Sequence, residues 1–447
     1  MRVREIPASE LNALVPGRGW KIPAHYCDSG PRDAPVAVLM PGVGLPMELM
    51  FDSVRALNAA GMRTILIENP GFGASRLSAE EISAYRIAEV ARENASPLQP
   101  YLDHSEAVFR YVREEMDVTP ALIVAHSMQG YVQFERLRQL GFGEPEGAEH
   151  LRRLKQSSPA GFAFLEDHGL TEPRAFNSLW VRSLTHQPTR EGLRQLGIQN
   201  PGEPVFAGKD DPVFGGPDDA RPIFIAADTC TTADEPHKRD GRLAQAKRLR
   251  DAQAAIEAAN SLKAAADIKE QRIDPVFQDF HEKMVTEFPN FSLPARPDVK
   301  NARETLATRL EKRWRAIINL DPAAWAEAWG RIADRVDTTD AAAGYPRLGI
   351  LLGQHDKQPQ RDGVALVQNA RDARHDVTSA HVEIVDGAGH VAFDDYPERF
   401  ATGVVQLFET MGGVLRPPSP SPRHGPRIPG LMNPGAGARQ GRPPQRP

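Results

Sequence analysis

Short apolar segments alternate with amphipathic helical patterns through residues 1 to 161 of the chain, and the alternation returns after residue 346. The clearest apolar segments span residues 35–40, 64–69, 121–126, 348–353 and 381–386. Between them, apolar residues recur every three or four positions, as in a helix with one buried face. Strands that alternate with helices in this way build a parallel sheet covered by helices. The sequence therefore predicts an α/β fold with a mostly parallel, doubly wound sheet.

The alternation also suggests how the chain divides. Residues 1–161 and 346–413 are predicted to form the two parts of the sheet core, with a weak last strand of the first part at 154–161. Residues 162–345 lack convincing strands and are predicted to be a helical cap inserted before the strand at 348–353. Residues 414–447 are too rich in Pro, Gly and Arg to pack a core, which predicts a disordered tail.

Within the predicted cap, amphipathic helical patterns cover residues 304–320 and 322–336 and include Trp314, Trp325 and Trp329. An insertion near 200–300 begins with a passage rich in Pro, Gly and Asp. An Ala-rich charged run then predicts one long surface helix from about Arg242 to Gln271. The tryptophans are interpreted as core residues first and as a substrate platform only second.

Composition narrows the possible partners. The net charge of -5 over 447 residues provides no basic surface of the kind that binds nucleic acid. The chain contains no apolar run long enough for a transmembrane helix and no apolar segment after its charged first residues, so we expect a cytoplasmic protein without a membrane segment. Cys27 and Cys230 are interpreted as ordinary thiols. No metal, nucleotide or flavin motif is present, so no cofactor is expected, and the oligomeric state stays open.

A serine follows one of these strands directly. The strand at 121–126 runs into Ser127, and a helical pattern begins by Gly130. A tight turn between strand and helix would lift the hydroxyl clear of the sheet and point backbone N–H groups toward it. His126 precedes the serine, but neighbouring strand residues point to opposite faces, so His126 is interpreted as structural.

This turn resembles the nucleophile elbow of the α/β-hydrolase family, often written GHSMGG, which appears here as Ala125-His126-Ser127-Met128-Gln129-Gly130. Gln129 stands where the family has glycine. The resemblance implies that Ser127 is the nucleophile, with His390 in a Gly-rich loop as general base and Asp356 as the acid that orients it. The chain order of serine, aspartate and histidine is also that of the family.

Two further segments extend the resemblance. Residues 40–44 occupy the place of the family's His-Gly oxyanion loop, with Pro41 in place of the histidine. The backbone N–H groups of Val43 and Met128 are therefore predicted to hold an oxyanion. Residues 68–75 resemble the family segment that follows the next strand, with Asn69 in a position typical of aspartate, and are interpreted as architectural.

The resemblance implies a serine hydrolase that cleaves a carboxylic ester, or a related acyl bond, of a small to medium and partly apolar substrate through an acyl-enzyme. Two alternatives stay open. The same three residues serve acyltransferases and carbon–carbon bond hydrolases, because neither fold nor triad selects the substrate. The second alternative is a hydrolase-like binding protein without catalysis. Gln129 and Pro41, which depart from the family pattern, favour it. For the acid, Asp362, Asp386, Asp394 and Asp395 are nearby alternatives to Asp356.

Overall fold

One eight-stranded sheet organises the part of the chain that the structure describes. The computed structural model describes residues 1–17, 19–20, 23–70, 72–73, 75, 96–142, 151, 154–155, 158–171, 191–192, 211, 213–215, 221–229, 231–286, 321–374 and 380–415. The strands in chain order are β1 (Val3–Ile6), β2 (Ala24–Ser29), β3 (Val36–Met40), β4 (Arg63–Ile67), β5 (Leu122–His126), β6 (Ile223–Ala227), β7 (Leu348–Gly353) and β8 (Ala380–Val385).

The sheet is parallel except at one end. Its strand order is β1-β2-β4-β3-β5-β6-β7-β8, with β2 antiparallel to both β1 and β4 and every other pair parallel. The strands from β3 to β7 are buried along nearly their whole length, as expected for parallel strands covered on both faces. The predicted α/β fold class is therefore confirmed.

The helices that the structure describes lie on the faces of the sheet and in the predicted cap region. They are α1 (Ala8–Leu14), α2 (Phe51–Ala59), α3 (Gln99–Arg110), α4 (Met128–Gln139), α5 (Pro159–Asp167), α6 (Pro236–Glu257), α7 (Leu262–Thr286), α8 (Pro322–Ala333), α9 (Thr339–Gly344), α10 (Lys357–Arg374), α11 (Ala392–Asp395) and α12 (Pro397–Thr410). A 3-10 turn (Met47–Met50) leads into α2, and a π turn (Tyr111–Glu115) follows α3.

The two faces of the sheet bury separate apolar clusters. Along β3, Val38 and Met40 belong to the cluster on one face, whereas Ala37 and Leu39 belong to the cluster on the other. This division follows from the two-residue period of a strand. The apolar runs of the sequence are therefore continuous because both of their faces are buried.

The register of the central strands brings several loops to one edge of the sheet. His126 at the end of β5 pairs with Ala227 at the end of β6, Ala227 pairs with Leu351 in β7, and Gly353 pairs with Val385 in β8. The residues that follow these strands therefore meet at the carboxyl edge. In parallel sheets this edge is where ligands bind.

Three sequence expectations need correction. Residues 223–227, placed in a region thought to lack strands, form β6 in the middle of the sheet, because this five-residue run is wholly buried between β5 and β7. The weak strand at 154–161 is wrong: Leu154 and Lys155 are helical, and Pro159 begins α5 at a position where its missing N–H does no harm. The single helix expected near Arg242 to Gln271 is two, α6 and α7, separated by residues 258–261.

Other expectations fall where little is described. The helix at 322–336 is present as α8. The pattern at 304–320 with Trp314, most of the Pro/Gly/Asp-rich passage, Cys230 and residues beyond 415 lie outside the described residues. Among the helices that are described, none combines the length and apolar character needed to cross a membrane.

Candidate active site

Ser127 lies on a strained turn between β5 and α4. Its φ of 50° and ψ of -114° fall in a region that a residue with a side chain rarely adopts. Such a conformation costs about 1–3 kcal/mol and persists only where neighbours impose it. Here the Ser127 N–H donates to the Ala227 carbonyl at 2.9 Å, and the Thr229 hydroxyl donates to the Ser127 carbonyl at 3.0 Å. Hydrogen bonds to β6 and to the residues after it thus keep Ser127 in this strained conformation.

Two glycines allow close packing around this turn. A Cβ added at Gly130 would lie 2.6 Å from the Thr229 side chain. A Cβ added at Gly42 would lie 2.7 Å from His126 Nδ1 and 2.9 Å from Ser127 Cβ. The loop after β3 therefore passes directly against the serine, and only glycine fits at that point.

His390 connects the serine to a carboxylate. Its Nε2 lies 3.0 Å from Ser127 Oγ, and its Nδ1 lies 2.6 Å from Asp356 Oδ2. A carboxylate can only accept, so Nδ1 carries a proton and Nε2 of the neutral ring is free to accept from the hydroxyl. Asp356 is 5% exposed, and its N–H donates to the Gly353 carbonyl at the end of β7. The structure brings together the three side chains that the sequence singled out.

The alternative acids bind elsewhere. Asp362 accepts from the Thr232 hydroxyl at 3.4 Å, and the exposed Asp386 pairs with Arg399. Asp394 and Asp395 lie within α11, the short helix after His390. Of the candidates for the acid, Asp356 is the one whose carboxylate meets the His390 ring.

His126 supports the loop that carries His390. Its ring is fully buried, and its Nε2 lies 2.6 Å from the His390 carbonyl. Because a carbonyl can only accept, Nε2 of His126 carries the proton. The ring also meets Phe393 edge-on at a centroid distance of 4.8 Å. His126 therefore positions the backbone of His390.

Sequence reasoning missed a second carboxyl at this edge. Asp228 follows β6 directly, is 1% exposed and accepts from the Gly353 N–H at 2.6 Å. Its φ is 46°, so this turn too is strained. Burial, and then the charge of Asp356, raise the pKa of Asp228 well above its usual value. The signal was an apolar run followed by aspartate, the same pattern that located Asp356, but in a region interpreted as strandless.

The predicted oxyanion donors flank the serine. Met128 is the first residue of α4, and the first N–H groups of a helix have no partner within it. Val43 lies one residue after Gly42, which packs against Ser127. Among the described residues no acceptor is found for the Val43 N–H. Both groups therefore lie beside the nucleophile as donors for which the described part of the chain supplies no acceptor.

Helices from the predicted cap region pack onto these same residues. A third apolar cluster joins Val43 and Met128 to Trp325, Trp329 and their neighbours on α6, α7 and α8. Trp325 Nε1 would lie 3.1 Å from a Cβ added at Gly44 in the loop after β3. The indole therefore covers the loop directly. Within the described residues, no group of three or more His, Cys, Asp or Glu side chains is arranged to hold a metal ion.

The sheet with its single antiparallel end, the strained serine between β5 and α4, and the loops that join Asp356 and His390 to it define an α/β-hydrolase fold. The fold that the sequence resemblance implies is therefore confirmed.

Neither a protein-family model nor a curated protein sequence matches this chain. An esterase from Thermogutta terrifontis is 14% identical, covering 92% of this chain and 99% of the esterase, with a TM-score of 0.49. An enol-lactonase from Burkholderia xenovorans is 14% identical (87% and 97% covered, TM-score 0.43). An esterase from Exiguobacterium antarcticum is 13% identical (87% and 96% covered, TM-score 0.44).

Proposed function

We propose that this protein is a serine hydrolase that cleaves a carboxylic ester, or a related acyl bond, through an acyl-enzyme. The observation that carries the proposal is the pair of contacts at His390, 3.0 Å to Ser127 Oγ and 2.6 Å to Asp356 Oδ2. A hydroxyl is a weak nucleophile until a base takes its proton, and these contacts supply the base and the group that orients it.

The proposed reaction assigns a step to each of these contacts. His390 Nε2 accepts the hydroxyl proton while Ser127 Oγ attacks the substrate carbonyl carbon. The oxygen of the tetrahedral intermediate accepts from the N–H groups of Val43 and Met128. The protonated His390 then donates to the departing alcohol, which leaves the acyl group on Ser127. A water molecule, deprotonated by the same ring, releases the acid and restores the hydroxyl.

Asp356 has a supporting role in each step. Its carboxylate holds the Nδ1 proton, which keeps Nε2 available to accept. When the ring becomes positively charged, the adjacent negative charge stabilises it. The short contact and the burial of Asp356 strengthen this interaction, since charges attract more strongly away from water.

The side chains that cover the site support the proposed substrate class. We assign α6, α7 and α8 to a cap over the core, in keeping with the predicted region 162–345. Its contact with Val43 and Met128 is made by apolar and aromatic side chains, among them Trp325 and Trp329. Such a wall favours a small to medium acyl substrate with an apolar part.

Labelling with a fluorophosphonate probe tests the nucleophile. The wild-type protein should label at one serine, and Ser127→Ala should abolish both labelling and ester hydrolysis. Ser105→Ala is the matched control: it also removes a buried hydroxyl, one that donates to the Leu102 carbonyl in α3, and should label normally. Absence of labelling in wild-type protein would leave a binding protein without catalysis as the function.

A panel of p-nitrophenyl esters of increasing acyl length, with and without an acceptor alcohol, then tests the reaction. Hydrolysis predicts release of p-nitrophenol and free acid whether or not the alcohol is present. Product found only as the new ester would instead identify an acyltransferase with the same three residues.

A further inference from the structure

The positions where this chain departs from the family pattern lie in contact with one another. Asn69 is 1% exposed and Gln129 is 2% exposed. The Asn69 Nδ2 donates to the Pro41 carbonyl at 2.7 Å and to the Gly42 carbonyl at 3.1 Å. The Gln129 Nε2 donates to the Asn69 Oδ1. Asparagine, glutamine and proline thus form one hydrogen-bonded unit between the loop after β3 and the start of α4.

The chemistry of these groups fixes which way each amide faces. Carbonyl oxygens only accept, so the Asn69 NH₂ must face Pro41 and Gly42. The Asn69 oxygen is then left to accept, and the Gln129 NH₂ supplies the donor. The Gln129 oxygen in turn accepts from the Gln133 Nε2 at 3.4 Å. An aspartate at position 69 would place a carboxylate against two carbonyl oxygens, so asparagine is the residue that fits this loop.

The Gly42 carbonyl belongs to the same peptide as the Val43 N–H. A peptide is planar, with its C=O and N–H pointing in opposite directions. Holding the Gly42 oxygen therefore sets the direction of the Val43 N–H. The Leu45 N–H also donates to the Gly42 oxygen at 3.4 Å, and the Gly42 Cα packs against Ser127. The peptide is thus held from three sides.

We propose that Asn69 and Gln129 are positioning residues that orient the Val43 N–H toward the oxyanion through the Gly42 carbonyl. They take the place of the loop side chain lost where Pro41 replaces histidine. The inference rests on the proposed function, because the direction of this N–H matters to the rate only if Ser127 attacks a carbonyl. An oxyanion donor must be in place before the reaction, and a rigid amide network achieves that.

Kinetics of three variants test the proposal: Asn69→Ala, Gln129→Leu and the double variant. Each is assayed on the p-nitrophenyl ester that the wild type hydrolyses fastest, and for inhibition by an alkyl trifluoromethyl ketone, which forms a tetrahedral oxyanion with a nucleophilic serine. Asn58→Ala is the matched control. It also removes an amide that bonds other side chains, Ser29 and Thr64, at the opposite edge of the sheet.

We expect Asn69→Ala to lower kcat by about 10- to 100-fold with little change in KM, below the roughly 10²- to 10³-fold of a wholly lost donor. Affinity for the trifluoromethyl ketone should fall in the same proportion as kcat/KM. Gln129→Leu should give a smaller loss of the same kind. The double variant should be no worse than Asn69→Ala, since Gln129 acts through Asn69. Asn58→Ala should leave both measurements within twofold of wild type.

The outcomes separate the two proposals. A wild type that a fluorophosphonate does not label overturns the proposed function and this inference with it. A labelled wild type whose Asn69→Ala and Gln129→Leu variants keep kcat and ketone affinity within twofold overturns the inference alone. So does a loss seen only in KM. Circular dichroism shows whether Asn69→Ala folds. If it does not, the Gln129→Leu variant, whose side chain has a similar volume to that of glutamine, decides between these results.

Discussion

The two edges of the central sheet differ in the hydrogen bonding and backbone conformation of their polar residues. At the amino edge, Arg63 forms two hydrogen bonds to Asp28, at 2.8 and 2.9 Å, and Arg347 donates to the carbonyls of Arg221 and Met411. At the carboxyl edge, Ser127 and Asp228 have strained backbones, and Asp228 Oδ2 has no hydrogen-bond partner among the described residues.

This difference indicates that the two edges of the sheet have different roles. Buried polar groups are normally satisfied, and exceptions concentrate at functional sites. At the amino edge the hydrogen bonds of Arg63 and Arg347 follow the rule and contribute stability, although Asp117, before β5, also has a positive φ of 52°. The carboxyl edge departs from it, and the departures surround the serine. Changes at the carboxyl edge should therefore reduce turnover, whereas changes at the amino edge should reduce stability.

The largest expected effect on kcat distinguishes two aspartates at the carboxyl edge, Asp356 and Asp228. Asp356→Asn should lower kcat by about 10⁴-fold, because an amide can donate to Nδ1 and so favours the wrong tautomer of His390. KM should change little. Asp228→Asn is the matched control and should stay within about tenfold of wild type, because Asp228 does not bond the His390 ring. Steady-state kinetics on one ester measures both; equal losses would show that the two carboxyls share the role.

A smaller loss is expected from the residue that supports the His390 backbone. His126→Leu should lower kcat by about 10- to 100-fold, because a misplacement of the base by about 1 Å has effects of this size. His126→Gln retains a donor for the His390 carbonyl and should recover part of the loss. Stopped-flow measurement of acyl-enzyme formation follows the step concerned. Wild-type rates in His126→Leu would mean that the loop holds its position without this bond.

The amino edge should show the opposite pattern. Arg63→Met should lower the free energy of unfolding by about 1–2 kcal/mol, since Asp28 then loses a largely buried partner, and should leave kcat unchanged. The Arg63 hydrogen bond lowers the pKa of Asp28. The contribution of this pair to stability is thus full above the pKa that Asp28 has in the unfolded chain. It is lost as the pH falls through the lower pKa that Asp28 has in the folded protein. Urea unfolding at pH 7 and pH 3 should find most of the difference at pH 7.

The subtlest effect concerns pH and Asp228. Because burial and Asp356 raise its pKa, the folded protein binds a proton that the unfolded chain releases. The contribution of Asp228 to stability is full below the pKa that aspartate has in the unfolded chain. It is lost as the pH rises through the raised pKa that Asp228 has in the folded protein. Asp228→Asn, which resembles the protonated acid, should remove this slope of up to about 1.4 kcal/mol per pH unit. Urea unfolding between pH 5 and pH 9 compares the slopes, and parallel curves would contradict the assignment.

Local patterns determined much of this protein. The strands at β3, β4, β5, β7 and β8 and the helices at α2, α3, α4, α8 and α12 follow from apolar periodicity. Ser127, Asp356 and His390 could be selected because the segments that carry them resemble motifs of the α/β-hydrolase family, and each segment follows a strand whose end lies at one edge of the sheet. These signals are local in sequence, so no knowledge of distant contacts is needed to detect them.

The tertiary structure decided the rest, because it depends on contacts between residues far apart in the chain. Strand β6 is as long as β3, β4 and β5, but it lies among helical patterns, so it was not recognised before its pairing with β5 and β7 was known. Asp228 became a buried carboxyl only through that pairing. Pro41, Asn69 and Gln129 look like separate departures from a motif in the sequence, and only the fold joins them. Hydrogen bonds between loops depend on distance and direction, which no spacing along the chain encodes.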